Sequence, residues 1–321
     1  MLWEPAVLSF AVAFVVLRVL LSRFGRFALD RPNERSLHVS PVPRSGGIAL
    51  LAGVFAALPL TGFELWLPAV LALGLAAVSL YDDMHGLGNR ARLLGHFFAA
   101  GALVWYLMSP MNAVAMAALV IASVWITNLY NFMDGADGVA GGMGLIGFGA
   151  YALAAWQVQH LALAGLCLAI AAAALAFLLH NFHPARIFLG DVGSIPLGFL
   201  AAALGLQGWR DDVWPLWFPV LVFGPFAADA TITLLRRLLR GEKLGHAHRD
   251  HYYQRIVRMG FGHRSAALAG YAAMMICAAA ALLGRSQPPA LQALAFAGAS
   301  AVLGAMALWV DRRWARFAKN A

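Results

Sequence analysis

The sequence predicts an all-α integral membrane protein, one polytopic bundle of about 11 transmembrane helices with the N-terminus outside and the C-terminus cytoplasmic. Three observations predict it. Hydrophobic residues fill 62% of the 321 positions and charged residues only 12%. So few charges cannot cover a water-soluble chain of this length without large exposed apolar patches. Apolar runs recur that approach the roughly 20 residues needed to cross a bilayer. Finally, Lys and Arg concentrate in alternate connections between those runs.

The expected spans, in order, are Glu4–Leu21, Ser45–Leu60, Leu65–Tyr81, Leu93–Met108, Ala113–Leu129, Gly141–Trp156, Leu161–Leu179, Ile195–Gln207, Trp214–Leu235, Ser265–Leu283 and Leu291–Val310. The first has no basic residue ahead of it, and Arg18, Arg23 and Arg26 come at its end. This is not the pattern of a cleavable signal, and it places the N-terminus outside. The inner connections then hold Arg23, Arg26, Arg31, Arg35, Arg44, Arg90, Arg92, Arg186 and the basic residues from Arg236 to Arg264, and the tail adds Arg312, Arg313, Arg316 and Lys319. The outer ones hold only Arg210 and Arg285. The chain reads as a single domain over 1–321, without repeats, with cytoplasmic loops at about 22–44, 82–92, 130–140, 180–194 and 236–264.

The net charge of +8 does not signal a nucleic-acid partner. The basic residues lie between apolar runs rather than on one amphipathic face, and topology explains them. Cys167 and Cys277 each sit inside an apolar run as small hydrophobes, without metal or redox spacing.

Chemistry concentrates on the inner side. Asp82 and Asp83 end the third span. Adjacent carboxylates at a membrane face repel unless cations balance them, so either Arg90 and Arg92 or a metal is expected nearby. Asn128, Asn131, Asp134 and Asp137 recur every three residues, which forms one polar stripe if the stretch is helical. Asp191 stands in Phe188-Leu-Gly-Asp191-Val-Gly-Ser194, either a Mg²⁺ ligand beside phosphate-facing N–H groups or a helix N-cap. Arg44-Ser45-Gly46-Gly47 opens a span. Free N–H groups, glycines and an Arg suit a phosphate there, and a plain positive-inside turn is the alternative. Asp229 follows Pro225 inside the ninth span, the mark of a broken helix opening toward a site. The last inner loop carries His246, His248, Arg249 and His251, with His263 and Arg264 later. These residues read as phosphate contacts. Zinc is the competing chemistry, disfavoured by the oxygen ligands elsewhere.

These motifs, in this order from Arg31 to Arg255, resemble the polyprenyl-phosphate N-acetylhexosamine-1-phosphate transferases. That family includes the enzyme forming lipid I and those that start O-antigen and capsule chains. The resemblance implies that a UDP-amino sugar donates its sugar-1-phosphate to undecaprenyl phosphate within the bacterial inner membrane, at a site facing the cytoplasm, releasing UMP. It implies Asp82 and Asp83 as the catalytic acidic pair, with His248 and Arg249 in the catalytic loop. Asp191 matches the Mg²⁺ ligand, with Asp83 as a second candidate and Mn²⁺ an allowed substitute. Asn128, Asn131, Asp134 and Asp137 match the nucleotide-site segment, and Arg44, Gly46, His246 and His251 are further substrate contacts. A homodimer is compatible with this reading.

The His loop departs from the adjacent-histidine form and resembles the O-antigen branch, which leaves the sugar open. The chemistry is physically coherent. A phosphate monoester with a second pKa near 6 is largely dianionic at pH 7, so positioning and charge neutralisation matter more than a strong base. Two rivals stand beside this reading. A CDP-alcohol phosphotransferase needs further Asp residues where Gly141 to Leu179 has no acid. A secondary transporter would keep its acids at mid-membrane.

Overall fold

Helix α8, Asp191–Arg210, is the axis of the molecule: 89% of its most apolar stretch is buried, against 11% for the C-terminal helix α13, Pro289–Asn320. The computed structural model describes residues 2–23, 28–30, 32, 37, 41–62, 65–243 and 248–320. Around α8 lie α1 Trp3–Arg23, α2 Gly46–Ala57, α3 Trp66–His85, α4 Asn89–Met108, α5 Ala113–Phe132, α6 Val139–Gln157 and α7 Leu161–Asn181. Short helices α9 Trp217–Val222, α10 Gly224–Leu239 and α11 Tyr252–Ile256 precede α12 Gly262–Gly284 and α13.

Among the described residues, nine helices are long and apolar enough to cross a membrane. The two other expected spans take different forms. One is the short α2, continued by a 3₁₀ turn to Leu60. The other is broken in two at Phe223, between α9 and α10. Pro225 sits in the first turn of α10, where its missing N–H costs nothing. Phe98, Trp105, Val114 and Leu283 point outward from their helices into exposed positions, as expected where the surrounding medium is lipid. The chain is an all-α, multi-pass membrane protein.

Just before α2, Val42 and Pro43 are extended, as expected for a residue that precedes a proline. Leu29–Asp30 pairs antiparallel with Val42–Pro43. Beyond it, three backbone hydrogen bonds stitch this strand to the segment preceding α8: Phe188 N to Pro43 O, Gly46 N to Phe188 O and Gly47 N to Leu189 O. Gly46 was expected to offer a free N–H to an anion. That expectation is corrected, because its N–H is spent on Phe188. The stitch lets α2 and α8 touch backbone to backbone. A Cβ at Gly47 would lie 2.3 Å from the Gly193 nitrogen, and one at Gly193 would lie 2.6 Å from the Gly47 Cα.

Close approach of this kind substitutes for a hydrophobic drive between helices in a membrane. Gly47→Ala should therefore destabilise the protein by about 1–3 kcal/mol, the usual cost of overpacking. At Gly74 nothing lies within 4 Å of an added Cβ, so Gly74→Ala should be neutral or stabilising by up to about 1 kcal/mol through helix propensity. Thermal melting of both variants in detergent tests the contrast.

Candidate active site

Helix α3 ends at Gly86, which adopts φ +71°. The chain turns back there, and Asp82 accepts the Leu87 N–H at 2.5 Å. The other Asp82 oxygen lies 3.2 Å from the Arg92 guanidinium, near the start of α4. That guanidinium also reaches Asp191, the first residue of α8, at 2.5 Å. Arg44 pairs with Asp83 at 2.9 Å. Arg92, rather than Arg90, is thus the balancing cation, and it joins the first and last acidic motifs directly.

Gly190, not Asp191, is the N-cap of α8, and it takes φ +71°. A Cβ there would lie 2.5 Å from the Arg44 carbonyl, so only glycine lets the Arg44 segment pack against Asp191. As a carboxylate in the first turn, Asp191 is also favoured by the helix dipole.

The polar stripe expected from the spacing of three does not form. Helix α5 ends at Phe132, and Asp134 and Asp137 lie in the turn before α6, because Gly135 and Gly138 break the helix. Asn131 remains helical and accepts from the Ser194 hydroxyl at 2.8 Å. Asn128 donates to the Val124 carbonyl at 2.7 Å and lies 3.3 Å from His96 Nδ1. Asp134 lies near Asp191 and the Gly190 N–H. Burial first, and then the Asp191 charge, hold the Asp134 carboxyl well above the usual carboxylate range. One side chain ties this turn to the loop before α8. Asn181 accepts from Gly138 N and donates to Ile187 O, both at 2.9 Å.

Asp137 has different partners. His183 Nδ1 lies 2.7 Å from one of its oxygens, which also accepts the Ala185 N–H, and His263 Nδ1 lies 3.4 Å from the other. The two imidazoles stack face to face. Among the described residues this is the one group of His and Asp with converging donor atoms. Donors held about 2.0–2.1 Å from a tetrahedral zinc stand about 3.3–3.5 Å apart, so the 2.7 Å contact is a hydrogen bond. Asp82, Asp83, Asp134 and Asp191 offer the oxygen donors that a hard divalent cation takes, although among the described residues no three of their ligand atoms lie within 4.8 Å of one another.

His246 lies outside the described residues. His251 begins α11 and is buried, its Nδ1 3.1 Å from Asp229. The Asp229 carboxylate also accepts the N–H groups of Tyr252 and Tyr253 at 3.0 and 3.2 Å. Asp229 therefore holds the His loop in place, and it also lines a cavity of about 350 Å³ beside Pro225, Tyr252 and Tyr253. The Tyr253 hydroxyl donates to the Phe132 carbonyl at 3.1 Å, and the His251 ring stacks on Phe132. These contacts seat the loop against the α5–α6 turn. His248 stacks near His251, and the Arg249 carbonyl accepts from Arg258 at 3.0 Å.

Sequence reasoning placed Asp82, Asp83, Asp191 and the polar turn on one side of the membrane. It missed His96 and His183 as partners, because isolated polar residues carry no spacing signal, and it did not assign Ser194 a partner although Ser194 closes the Phe188–Ser194 motif.

Burial, followed by the nearby His251 and Arg237, pushes the His248 imidazole down to about 4 from its ordinary 6.5. The folded state thus favours the neutral ring. The stability it contributes is full above about pH 6.5 and is lost as pH falls toward 4. An NMR titration of His248 should show its midpoint near 4, and a midpoint at 6 or above would contradict this burial.

Comparison with known proteins agrees with the geometry. The glycosyl transferase family 4 model matches residues 65–209, a segment that holds every residue of the acidic cluster. A decaprenyl-phosphate N-acetylglucosaminephosphotransferase of Mycolicibacterium smegmatis is 33% identical over 82% of this chain and 75% of its own length. The undecaprenyl-phosphate alpha-N-acetylglucosaminyl 1-phosphate transferase of Yersinia pestis is 30% identical, over 85% and 80%. A phospho-N-acetylmuramoyl-pentapeptide-transferase of Shouchella clausii is 29% identical, over 62% and 73%. With acidic motifs gathered at one end of a multi-pass helical bundle, and relatives aligned along most of its length, this chain belongs to glycosyl transferase family 4.

Proposed function

We propose that this protein transfers an N-acetylhexosamine-1-phosphate from a UDP-sugar to undecaprenyl phosphate, releasing UMP and starting a lipid-linked cell-envelope glycan. The carrying observation is a charge deficit. Among the described residues, Arg92 bridges Asp82 and Asp191, Arg44 pairs with Asp83, and Asp134 lies near Asp191 with no paired cation. Like charges held this closely in a protein interior call for a further cation. All-oxygen donors suit Mg²⁺, with Mn²⁺ as an alternative. Asp191 with Asp83 would hold it, and when bound it would neutralise charge on the donor diphosphate.

The chain's own residues supply the rest. Arg92 fixes Asp82 and Asp191 relative to each other. Asp82, held by Leu87 N–H and Arg92, orients the acceptor phosphate, itself a competent nucleophile. The turn bearing Asn131 and Asp134, with the Asp137 group beside it, forms the nucleotide side. Arg249, together with His251 and with His248 as a neutral hydrogen-bonding group, contacts the diphosphate and sugar. The positive-inside pattern sets this face toward the cytoplasm of a bacterial inner membrane.

The direct test is UMP release by the purified protein with Mg²⁺, undecaprenyl phosphate and a panel of UDP-amino sugars. The relatives' names make UDP-N-acetylglucosamine the first to try. Release that needs both lipid and metal supports the proposal, whereas sugar-nucleotide uptake without UMP would favour a transporter. Asp191→Asn should lower turnover by about 10²–10³-fold, the scale of losing an electrostatic stabiliser, and raised Mg²⁺ should not restore it. Unchanged turnover in that variant would remove Asp191 from the metal site.

A further inference from the structure

We propose that a cavity beside Asp83, lined by Arg44 and Ser45, seats the terminal phosphate of the lipid acceptor, and that Ser45 is a binding residue for it. The inference rests on the acceptor named above and adds the place where its headgroup sits.

Ser45 is 2% exposed, yet its hydroxyl has no hydrogen-bond partner among the described residues. It is the N-cap of α2, where a serine hydroxyl ordinarily accepts an N–H from the first turn. Here its backbone is at φ −107°, ψ 8°, and no such bond forms. The Ser45 carbonyl takes the Ile48 N–H instead. A buried polar group without a partner costs free energy, and few persist in native structures without a reason.

The neighbouring residue has the same feature. One terminal nitrogen of Arg44 is spent on Asp83, while its Nε is buried and unpartnered. Guanidinium groups bind through two edges, so Arg44 can hold Asp83 with one and an anion with the other. Both unpartnered atoms belong to residues lining one cavity of about 220 Å³, far larger than the ~10–15 Å³ that a single water needs. Both are shielded from it in this conformation, so a bound phosphate reaches them once the Ser45 hydroxyl and the Arg44 side chain turn toward the cavity. A hydroxyl and a guanidinium N–H, beside a carboxylate already neutralised by that arginine, are the donors expected for a phosphate monoester.

The remaining walls identify which phosphate. Ile48, Leu80 and Met84 line the cavity, and Met84 is also among the exposed apolar residues of the outer surface. The apolar wall therefore reaches the exposed surface at the C-terminal end of α3. A headgroup attached to a prenyl chain fits that layout. A free phosphate or a soluble nucleotide would gain nothing from it.

The full-length protein in nanodiscs tests this with Ser45→Ala. Farnesyl phosphate binding should weaken about tenfold, the scale of one hydrogen bond to a charged group, while farnesol binding stays unchanged. The KM for undecaprenyl phosphate should rise similarly, with kcat and the KM for the UDP-sugar within about twofold. Ligand-free Ser45→Ala should melt no lower than wild type, because the hydroxyl has no partner to lose. A lower melting temperature with unaltered farnesyl phosphate affinity would make Ser45 structural and overturn the proposal. So would a rise confined to the KM for the UDP-sugar, which would assign the cavity to the donor. Inorganic phosphate binding as tightly as farnesyl phosphate would overturn the lipid assignment. Ser45-dependent farnesyl phosphate binding without UMP release from any sugar nucleotide would leave this site standing and remove the transferase reading.

Discussion

Among the described residues, four carboxylates share the end of a membrane bundle with two guanidinium groups, and much of the local architecture serves to hold that imbalance. Coulomb repulsion between unit charges a few ångströms apart is about 4 kcal/mol at an effective dielectric near 20. No flexible loop would keep such groups together on its own. Arg92 bridges Asp82 and Asp191, and Arg44 anchors Asp83. Asp134 lies near the Gly190 N–H, and burial, followed by the Asp191 charge, holds its carboxyl well above the usual carboxylate range. The cluster is thus pre-organised for a cation and for the phosphates that come with it.

Rigid backbone contacts carry the load that side-chain packing carries in soluble proteins. The stitch between Pro43–Gly47 and Phe188–Leu189 fixes the height of α2 against α8. It also presents Arg44 to Asp83 from one side and Asp191 to Arg92 from the other. Asn181 extends the same frame to the α5–α6 turn. Because the glycines at 47, 190 and 193 sit where backbones touch, the acidic residues inherit their spacing from main-chain geometry.

The His loop is organised on a separate principle. Asp229 lies on a helix fragment that begins after a break, and it gathers His251 and two backbone N–H groups at the start of α11. An acid in a membrane segment is expensive. Here it is compensated within the protein by directed hydrogen bonds. Tyr253 and Phe132 then carry that order across to the acidic centre.

The amino-acid sequence by itself determined the membrane class, the approximate spans and the residues that carry chemistry. Apolar run length and charge placement are local properties, and acids between such runs stand out against them. It also marked Asp229 and Pro225 as the site of a broken helix. Tertiary structure alone decided which cation met which acid. Arg92 rather than Arg90 spans the cluster although both lie in the first turn of α4, because residues two apart face different sides of a helix and packing decides which side meets the cluster. Two glycines turned the expected polar stripe after Asn131 into a bend, and Gly46 N–H proved to be spent on Phe188, a partner 142 residues away. The unpartnered hydroxyl of Ser45 had no signature in the chain at all. Hydrogen-bond satisfaction is a property of the assembled neighbourhood, set by long-range contacts that no single stretch of sequence contains.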